Sequence, residues 1–251
     1  MKYMLFVPGF LTAQTCSSRG DTYFDVYTYA IAHGFEFMYM PIPNNNYGDL
    51  GNTTMEDCLD NVLGQYNTIC HTTIGPTDTI MFVGHSMGGM IISRLVTSAY
   101  SDKLKRRPDS VRLLNPAIGK HLSWAEVITG TLLSFVPKLT GLAIVPVPIA
   151  DRETLYPASL PLSPGCKLLL GTSLLQTMGK LLVNNRQWVL QPDDGMCEIR
   201  IVQCRGDRVV SYPDTRAHAK AYSHSIQFVT IASDYHEYFD ADILDTLFGG
   251  R

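Results

Sequence analysis

Thr79-Ile80-Met81-Phe82-Val83-Gly84-His85-Ser86-Met87-Gly88-Gly89 runs from an unbroken apolar segment straight into a serine bracketed by glycines. The segment Thr79–Val83 has the make-up of a strand at the centre of a sheet covered on both faces. From Met87 to Tyr100 the side chains of Ile91, Ile92, Leu95, Val96 and Ala99 recur at the spacing of one helix face. A strand therefore gives way to a helix at Ser86, with Gly84 and Gly88 two residues to either side. Gly-x-Ser-x-Gly in that setting has a steric reason. The serine sits on a sharp, strained turn that lifts its hydroxyl above the sheet, and residues two away must be tiny to let the neighbouring chain pass. The N-terminus of the following helix adds a partial positive field where negative charge would develop. Five residues alone could arise by chance in a chain with 20 glycines. The strand before and the helix after separate this pattern from an unreactive turn and make Ser86 the candidate nucleophile.

Outward from this point, strands alternate with amphipathic helices, which predicts an α/β fold on a mainly parallel sheet. Strands are expected at Tyr3–Val7, Glu36–Met40, Thr79–Val83, Val111–Leu114, Glu198–Gln203 and Ile226–Ile231. Helices are expected at Asp21–His33, Met87–Tyr100, Pro213–Tyr222 and Glu237–Phe248. A further helix begins near Thr53, which with Glu56 forms a capping box. In it Met55, Leu59, Val62, Leu63, Tyr66, Ile69 and Cys70 share one face. The polar stretch Asn44–Asn52 reads as a surface loop. Alternation fails between about Pro116 and Asn185, a segment rich in Leu, Pro and Gly with short helical stretches around Trp124–Phe135 and Leu168–Val183. The expected organisation is a core of residues 1–115 and 186–251 interrupted by an insertion at 116–185.

The 251 residues are 45% hydrophobic and 17% charged, with a formal net charge of -3. No basic surplus exists to neutralise a phosphate backbone, so nucleic acid is not an expected partner. The apolar run Met4–Val7 is too short for a secretory core, and Val127–Ala150 is broken by Pro137, Lys138, Pro146 and Pro148, so no spanning helix is expected. The chain has 6 cysteines. Cys58 and Cys70 fall far apart on one helix, and Cys197 and Cys204 on one strand, at separations a disulfide does not bridge. Free thiols and a cytoplasmic location are expected. No His or Cys spacing suits a metal, and the chemistry considered below needs no cofactor.

A serine hydroxyl needs a positioned base. With a nucleophile elbow of this type, the acid and then the histidine follow the serine along the chain, leaving His218, His224 and His236. His218 lies mid-helix among residues that favour the surface. His224 precedes the last strand, at the wrong end of a parallel sheet. His236 follows that strand, at the same edge as the elbow, and is the candidate base. Asp207, in the turn after Glu198–Gln203, reaches the same edge and is the candidate acid that holds the imidazole tautomer. Asp234 is its competitor, but stands too near His236 in sequence to be preferred. For the developing oxyanion, one donor is the backbone N–H of Met87. The other is expected in Pro8-Gly9-Phe10-Leu11, where Phe10 N–H is the best candidate, Leu11 remains open and Pro8 has no N–H to give.

With Pro8-Gly9-Phe10, Gly84-His85-Ser86-Met87-Gly88-Gly89, Gly206-Asp207-Arg208-Val209-Val210 and His236 in this order, the chain resembles the α/β-hydrolase superfamily over nearly its whole length. The elbow looks like that of many esterases and lipases, and Gly-Asp-Arg-Val-Val resembles their acid turn. The resemblance implies an α/β-hydrolase fold with a helical cap in the 116–185 segment. Because the chain opens almost at the third strand of that fold, a sheet of about six strands without the leading antiparallel hairpin is expected. It also implies a serine hydrolase cleaving a carboxylic ester of a small molecule through an acyl-enzyme.

Thioester or lactone cleavage would use the same residues. A lyase, an acyltransferase or a non-catalytic receptor of the same fold are the competing readings. The insertion carries Trp124, Val127, Ile128, Leu132, Leu133, Phe135, Val136, Leu139, Leu142, Ile144 and Val145. Part of this run packs onto the core by default; part is expected to line an apolar acyl or alkyl pocket and to permit transient contact with a lipid interface.

Overall fold

The structure, a computed structural model, describes residues 1–9, 16, 17, 19, 21–43, 55–97, 100–118, 144–147, 168–171, 197–207, 209–221, 225–237 and 239–249. Six strands form the main sheet: β1 (Lys2–Val7), β2 (Glu36–Tyr39), β3 (Thr79–His85), β4 (Ser110–Leu114), β7 (Glu198–Cys204) and β8 (Ile226–Ile231). Between β4 and β7 in the chain, β5 (Ile144–Val147) pairs antiparallel with β6 (Leu168–Gly171) in a separate two-stranded sheet. The main sheet has the order β2-β1-β3-β4-β7-β8, and every neighbouring pair in it is parallel. The six expected strands are these six, within a residue or two at their ends.

Parallel pairing demands crossovers, and helices cover both faces. Those described are α1 (Phe24–Ala32), α2 (Met55–Thr72), α3 (Met87–Leu95), α4 (Tyr212–Ala221) and α5 (Ala241–Phe248). Strand alternation sorts the core into two layers. Tyr3, Leu5 and Val7 of β1, Phe82 of β3 and Leu113 of β4 pack with Leu59, Val62 and Tyr66 of α2 and with Ile91, Ile92 and Leu95 of α3. Met4 and Phe6, Val83 and Leu114 face the other way, onto Val26 and Ala30 of α1 and Ile243, Leu244 and Leu247 of α5. Of the expected apolar face of α2, Leu59, Val62 and Tyr66 are in the core and Leu63, Ile69 and Cys70 pack against it, while the Met55 side chain and the Thr53 cap lie outside what is described.

Three helices are shorter than their periodicity suggests, the first being α1, which runs over Phe24–Ala32 rather than Asp21–His33. Helix α3 stops at Leu95 rather than Tyr100, because the Thr97 hydroxyl donates to Arg94 O at 2.7 Å and the chain tightens into a 3₁₀ turn at Ser101–Lys103. Helix α5 starts at Ala241 rather than Glu237, because Asp240 is its N-cap and accepts from Ile243 N–H at 2.8 Å. Leu168–Gly171, expected to open a helical stretch, is instead strand β6, where it finds backbone partners in Ile144–Val147. The remainder of the 116–185 insertion beyond Ile118, including the stretch Trp124–Phe135, lies outside the described residues, as does the loop Asn44–Asn52.

Two arginines lie on adjacent positions of β4 and β7, Arg112 beside Arg200, and both are buried. Glu198 bridges them, and Arg200 also donates to the carbonyls of Thr246 and Gly249 at the end of α5. The unpaired carbonyls of that helix end thereby receive a cation. The described cysteines, Cys16, Cys58, Cys70, Cys197 and Cys204, are all free. Among the described residues no helix is long and apolar enough to cross a membrane.

Candidate active site

From β1 the chain crosses to β2 on one side, whereas β3 lies on the other side of β1. The order reverses between β1 and β3, and a crevice opens beyond the carboxyl ends of strands at such a point. Pro8 and Gly9 leave β1 there, and Ser86 leaves β3.

Ser86 has φ 52° and ψ −117°, a left-handed conformation that a residue with a side chain adopts only under strain. The surrounding bonds hold it: its N–H donates to Leu114 O at 3.1 Å, and its own carbonyl accepts from Ala117 N–H at 3.0 Å and Met90 N–H at 3.1 Å. A Cβ on Gly84 would stand 2.7 Å from Gly89 N and 2.8 Å from the carbonyl of Gly88, and one on Gly88 would collide with the carbonyl oxygens of Val7 and Pro8. The glycines at both positions are thus required by close backbone approach. The Ser86 hydroxyl makes no capping bond to α3. As the first N–H of α3, that of Met87 has no intrahelical acceptor, and Met87 is only 6% exposed.

Asp207 and His236 meet at the same edge, after β7 and β8. His236 Nδ1 donates to Asp207 Oδ2 at 2.7 Å, and both residues are buried. Asp207 Oδ1 accepts the N–H groups of Val209 at 2.8 Å and Val210 at 3.0 Å, and Oδ2 also accepts from Gln203 Nε2 at 3.3 Å. A carboxylate so fully supplied with donors is fixed in orientation. Its bond to Nδ1 leaves Nε2 of His236 as the proton acceptor of a neutral ring. No hydrogen bond joins Ser86 Oγ to His236 in this structure. What connects them is His85, the residue before the serine, whose ring lies 4.8 Å, centroid to centroid, from that of His236. Catalytic hydrogen bonds in an unliganded site are often long and tighten only when substrate is bound.

Of the other candidates that the sequence offers, Asp234 does not contact His236 through any described hydrogen bond; it packs against Gly206. His218 is half-buried on α4, with burial pulling its pKa down, rather than at the surface. Phe10, Leu11 and His224 lie outside the described residues. Gly9 N–H donates to Tyr23 Oη at 2.6 Å, so a second oxyanion donor from this loop would have to follow Gly9.

Four buried polar residues carry no signal of this site in the motifs above: Tyr23, His85, Asn115 and Gln203. His85 Nε2 lies 2.9 Å from the carbonyl oxygen of His236, and Asn115 Nδ2 donates to the same oxygen at 3.0 Å. Asn115 Oδ1 accepts Cys204 N–H at 2.8 Å. Burial, and next the positive charge His236 would carry, push the His85 pKa well below its usual value. Of the four, Asn115 has a local signature of another kind: Asn before Pro116 at the end of a strand suits a turn, and its φ of 42° is one that Asn tolerates better than most residues.

No family model matches the chain, and no curated protein matches it by sequence. Solved structures do match. A soluble variant of monoglyceride lipase from Saccharomyces cerevisiae, in complex with a substrate analogue, has a TM-score of 0.66 at 13% identity, over 98% of this chain and 83% of that one. Monoacylglycerol lipase from Paleococcus ferrophilus has a TM-score of 0.62 at 12% identity, over 98% and 93%. Mouse alpha/beta hydrolase domain-containing protein 10 has a TM-score of 0.60 at 14% identity, over 97% and 85%. With identities this low the likeness concerns architecture: the chain has the α/β-hydrolase fold.

Proposed function

We propose that the protein is a serine hydrolase that cleaves carboxylic esters, with Ser86 as nucleophile, His236 as general base and Asp207 as the acid that orients it. The observation that carries this reading is the 2.7 Å bond between His236 Nδ1 and Asp207 Oδ2, buried at the sheet edge where Ser86 sits in its strained turn. In the proposed reaction His236 Nε2 takes the proton of Ser86 Oγ as the oxygen bonds to the ester carbonyl carbon. The resulting oxyanion is held by the N–H groups of Met87 and Phe10. His236 then gives its proton to the departing alkoxide, leaving an acyl-serine. Water, deprotonated by the same imidazole, attacks the acyl carbon, and the proton returns to Ser86 as the carboxylic acid leaves.

An apolar acyl or alkyl group is the proposed preference. It is supported by the leucine-rich 116–185 insertion, proposed as a cap over the site, and by two neighbours of the fold that are lipases of monoglyceride or monoacylglycerol. The test is labelling with a fluorophosphonate probe followed by peptide mapping, alongside p-nitrophenyl esters of increasing acyl length. A phosphonylated Ser86 peptide, absent in Ser86→Ala, and turnover rising with acyl length are expected. A wild-type protein that neither labels nor turns over any ester would favour a non-catalytic ligand-binding protein of the same fold.

A further inference from the structure

Tyr23, on the segment leading into α1, and His85, at the end of β3, are both fully buried, and the proposed reaction gives neither a task. They lie in one continuous chain of hydrogen bonds. Gly9 N and Tyr23 Oη are 2.6 Å apart, Tyr23 Oη and His85 Nδ1 2.8 Å, and His85 Nε2 and His236 O 2.9 Å. The direction of each bond follows from chemistry. A backbone carbonyl only accepts, so His85 Nε2 carries the proton. In a neutral imidazole the other nitrogen is then an acceptor, so Tyr23 gives its phenolic proton to Nδ1. The phenol oxygen accepts the amide proton of Gly9. The chain runs one way, from the loop after β1 to the backbone of the candidate base.

Packing immobilises both rings. Tyr23 meets Phe6 edge-on at 4.8 Å and stacks on Phe239 at 5.5 Å, and His85 meets Phe239 edge-on at 5.1 Å. A Cβ on Gly9 would stand 2.9 Å from His85 Nδ1, 3.0 Å from Tyr23 Oη and 3.1 Å from Ser86 Cβ, so the loop after β1 is pressed against the serine and both links of the chain.

We propose that Tyr23 and His85 are positioning residues that set the spacing between the loop after β1 and the backbone of His236, on either side of Ser86. This rests on the serine-hydrolase reading above. Asp207 holds the imidazole of His236 from the ring side, and His85, with Asn115, holds the same residue from its carbonyl. Tyr23 engages Gly9 N–H and so fixes the start of the loop that follows β1. Neither residue touches the substrate. Their contribution is geometric, and displacements of about 1 Å at a reacting centre cost on the order of a hundredfold in rate.

The test compares Tyr23→Phe, His85→Gln and His85→Phe with wild type, by kcat and KM on a p-nitrophenyl ester, normalised to sites titrated with the fluorophosphonate. Tyr23→Phe removes one oxygen and keeps the ring. His85→Gln can still offer an N–H toward the His236 carbonyl, and His85→Phe cannot. The control is Tyr66→Phe, an equally buried phenol that donates to Arg106 O at 2.9 Å, far from the site. Expected are a fall in kcat of about tenfold or more in Tyr23→Phe with KM within about twofold, a larger fall in His85→Phe than in His85→Gln, and unchanged kcat in Tyr66→Phe despite a lower Tm. Wild-type kcat in Tyr23→Phe or in His85→Gln and His85→Phe together overturns the proposal. So does a fall in Tyr66→Phe matching theirs, or failure of all three site variants to fold, since the chain would then serve stability alone. Wild type that does not label at Ser86 overturns the hydrolase reading itself, a result distinct from labelling that these variants leave unaltered.

Discussion

His236 Nδ1 sits 2.7 Å from Asp207 Oδ2, with the imidazole side chain 2% exposed and the carboxylate side chain wholly covered. The pair is contributed by two separate loops, yet its geometry leaves the ring one tautomer. Three further donors hold the carboxylate, from Val209, Val210 and Gln203. Asp207→Asn keeps the shape but puts an amide where an anion was. With an N–H facing the ring, Nδ1 becomes an acceptor and Nε2 carries the proton, so it cannot take one from Ser86. A fall in kcat of about 10³- to 10⁴-fold is expected, measured with titrated sites. Asp234→Asn is expected to stay within about twofold of wild type, and an equal loss there would transfer the acid's role to Asp234.

The turn at Ser86 makes a separate claim on stability. A side-chain-bearing residue at φ 52° and ψ −117° stores on the order of 1–3 kcal/mol, of which Ser86→Gly should release part. Glycine loses about 0.5–1 kcal/mol of this to its greater chain entropy. Ser86→Gly is therefore expected to raise Tm by about 2–4 °C while abolishing turnover and labelling. Ser86→Ala, which keeps the strain, should abolish both with little change in Tm. A Tm lower in Ser86→Gly than in Ser86→Ala would show that the turn is unstrained.

What is legible in the sequence is whatever has a local signature. The strands declare themselves by continuous apolar runs, and Ser86 by its bracketing glycines. Asp207 and His236 follow once each is tied to the end of a strand, since a parallel sheet brings those ends to one edge. Tyr23, His85 and Asn115 have no such spacing, because their partners lie 62, 151 and 121 residues away. His85 stands inside the elbow motif at a position the motif leaves open. Helix ends depart from the apolar period where one side chain, Asp240 or Thr97, outweighs it. The stretch Leu168–Gly171 joins a strand because its partner, Ile144–Val147, comes from far along the chain.

Stability should fall on the acid side because of His85. Its pKa is depressed well below 6.5, first by burial, so the native ring stays neutral where the unfolded ring is protonated. Below the unfolded value the unfolded state binds one more proton, and the free energy of unfolding decreases with falling pH by up to about 1.4 kcal/mol per unit. The contribution is complete above about pH 6.5 and is lost progressively below it. His218, also depressed by burial, adds a loss of the same sign. Urea unfolding from pH 8 to 5 is expected to show a shallower decline in His85→Gln than in wild type, with the His218 part still present. Parallel curves would show that His85 titrates alike in both states.

Asn115 combines a conformational and a chemical task. At φ 42° it turns the chain after β4, its Oδ1 accepts Cys204 N–H, and its Nδ2 holds the His236 carbonyl. Asn115→Gly keeps the conformation and loses the bonds, leaving the buried Cys204 N–H without its Asn115 acceptor and the His236 carbonyl with His85 Nε2 alone, at about 2 kcal/mol. Asn115→Ala loses the same bonds and adds left-handed strain, about 1 kcal/mol more. Asn115→Asp keeps the acceptor for Cys204 but sets a carboxylate oxygen against the His236 carbonyl, so its damage should appear at the base rather than at β7. Urea denaturation is expected to rank stability as wild type, then glycine, then alanine, while kcat per titrated site falls in the aspartate variant even where it remains folded. A glycine variant less stable than the alanine variant would mean the turn at Asn115 carries no strain, and full turnover in the aspartate variant would mean the His236 backbone needs no second donor.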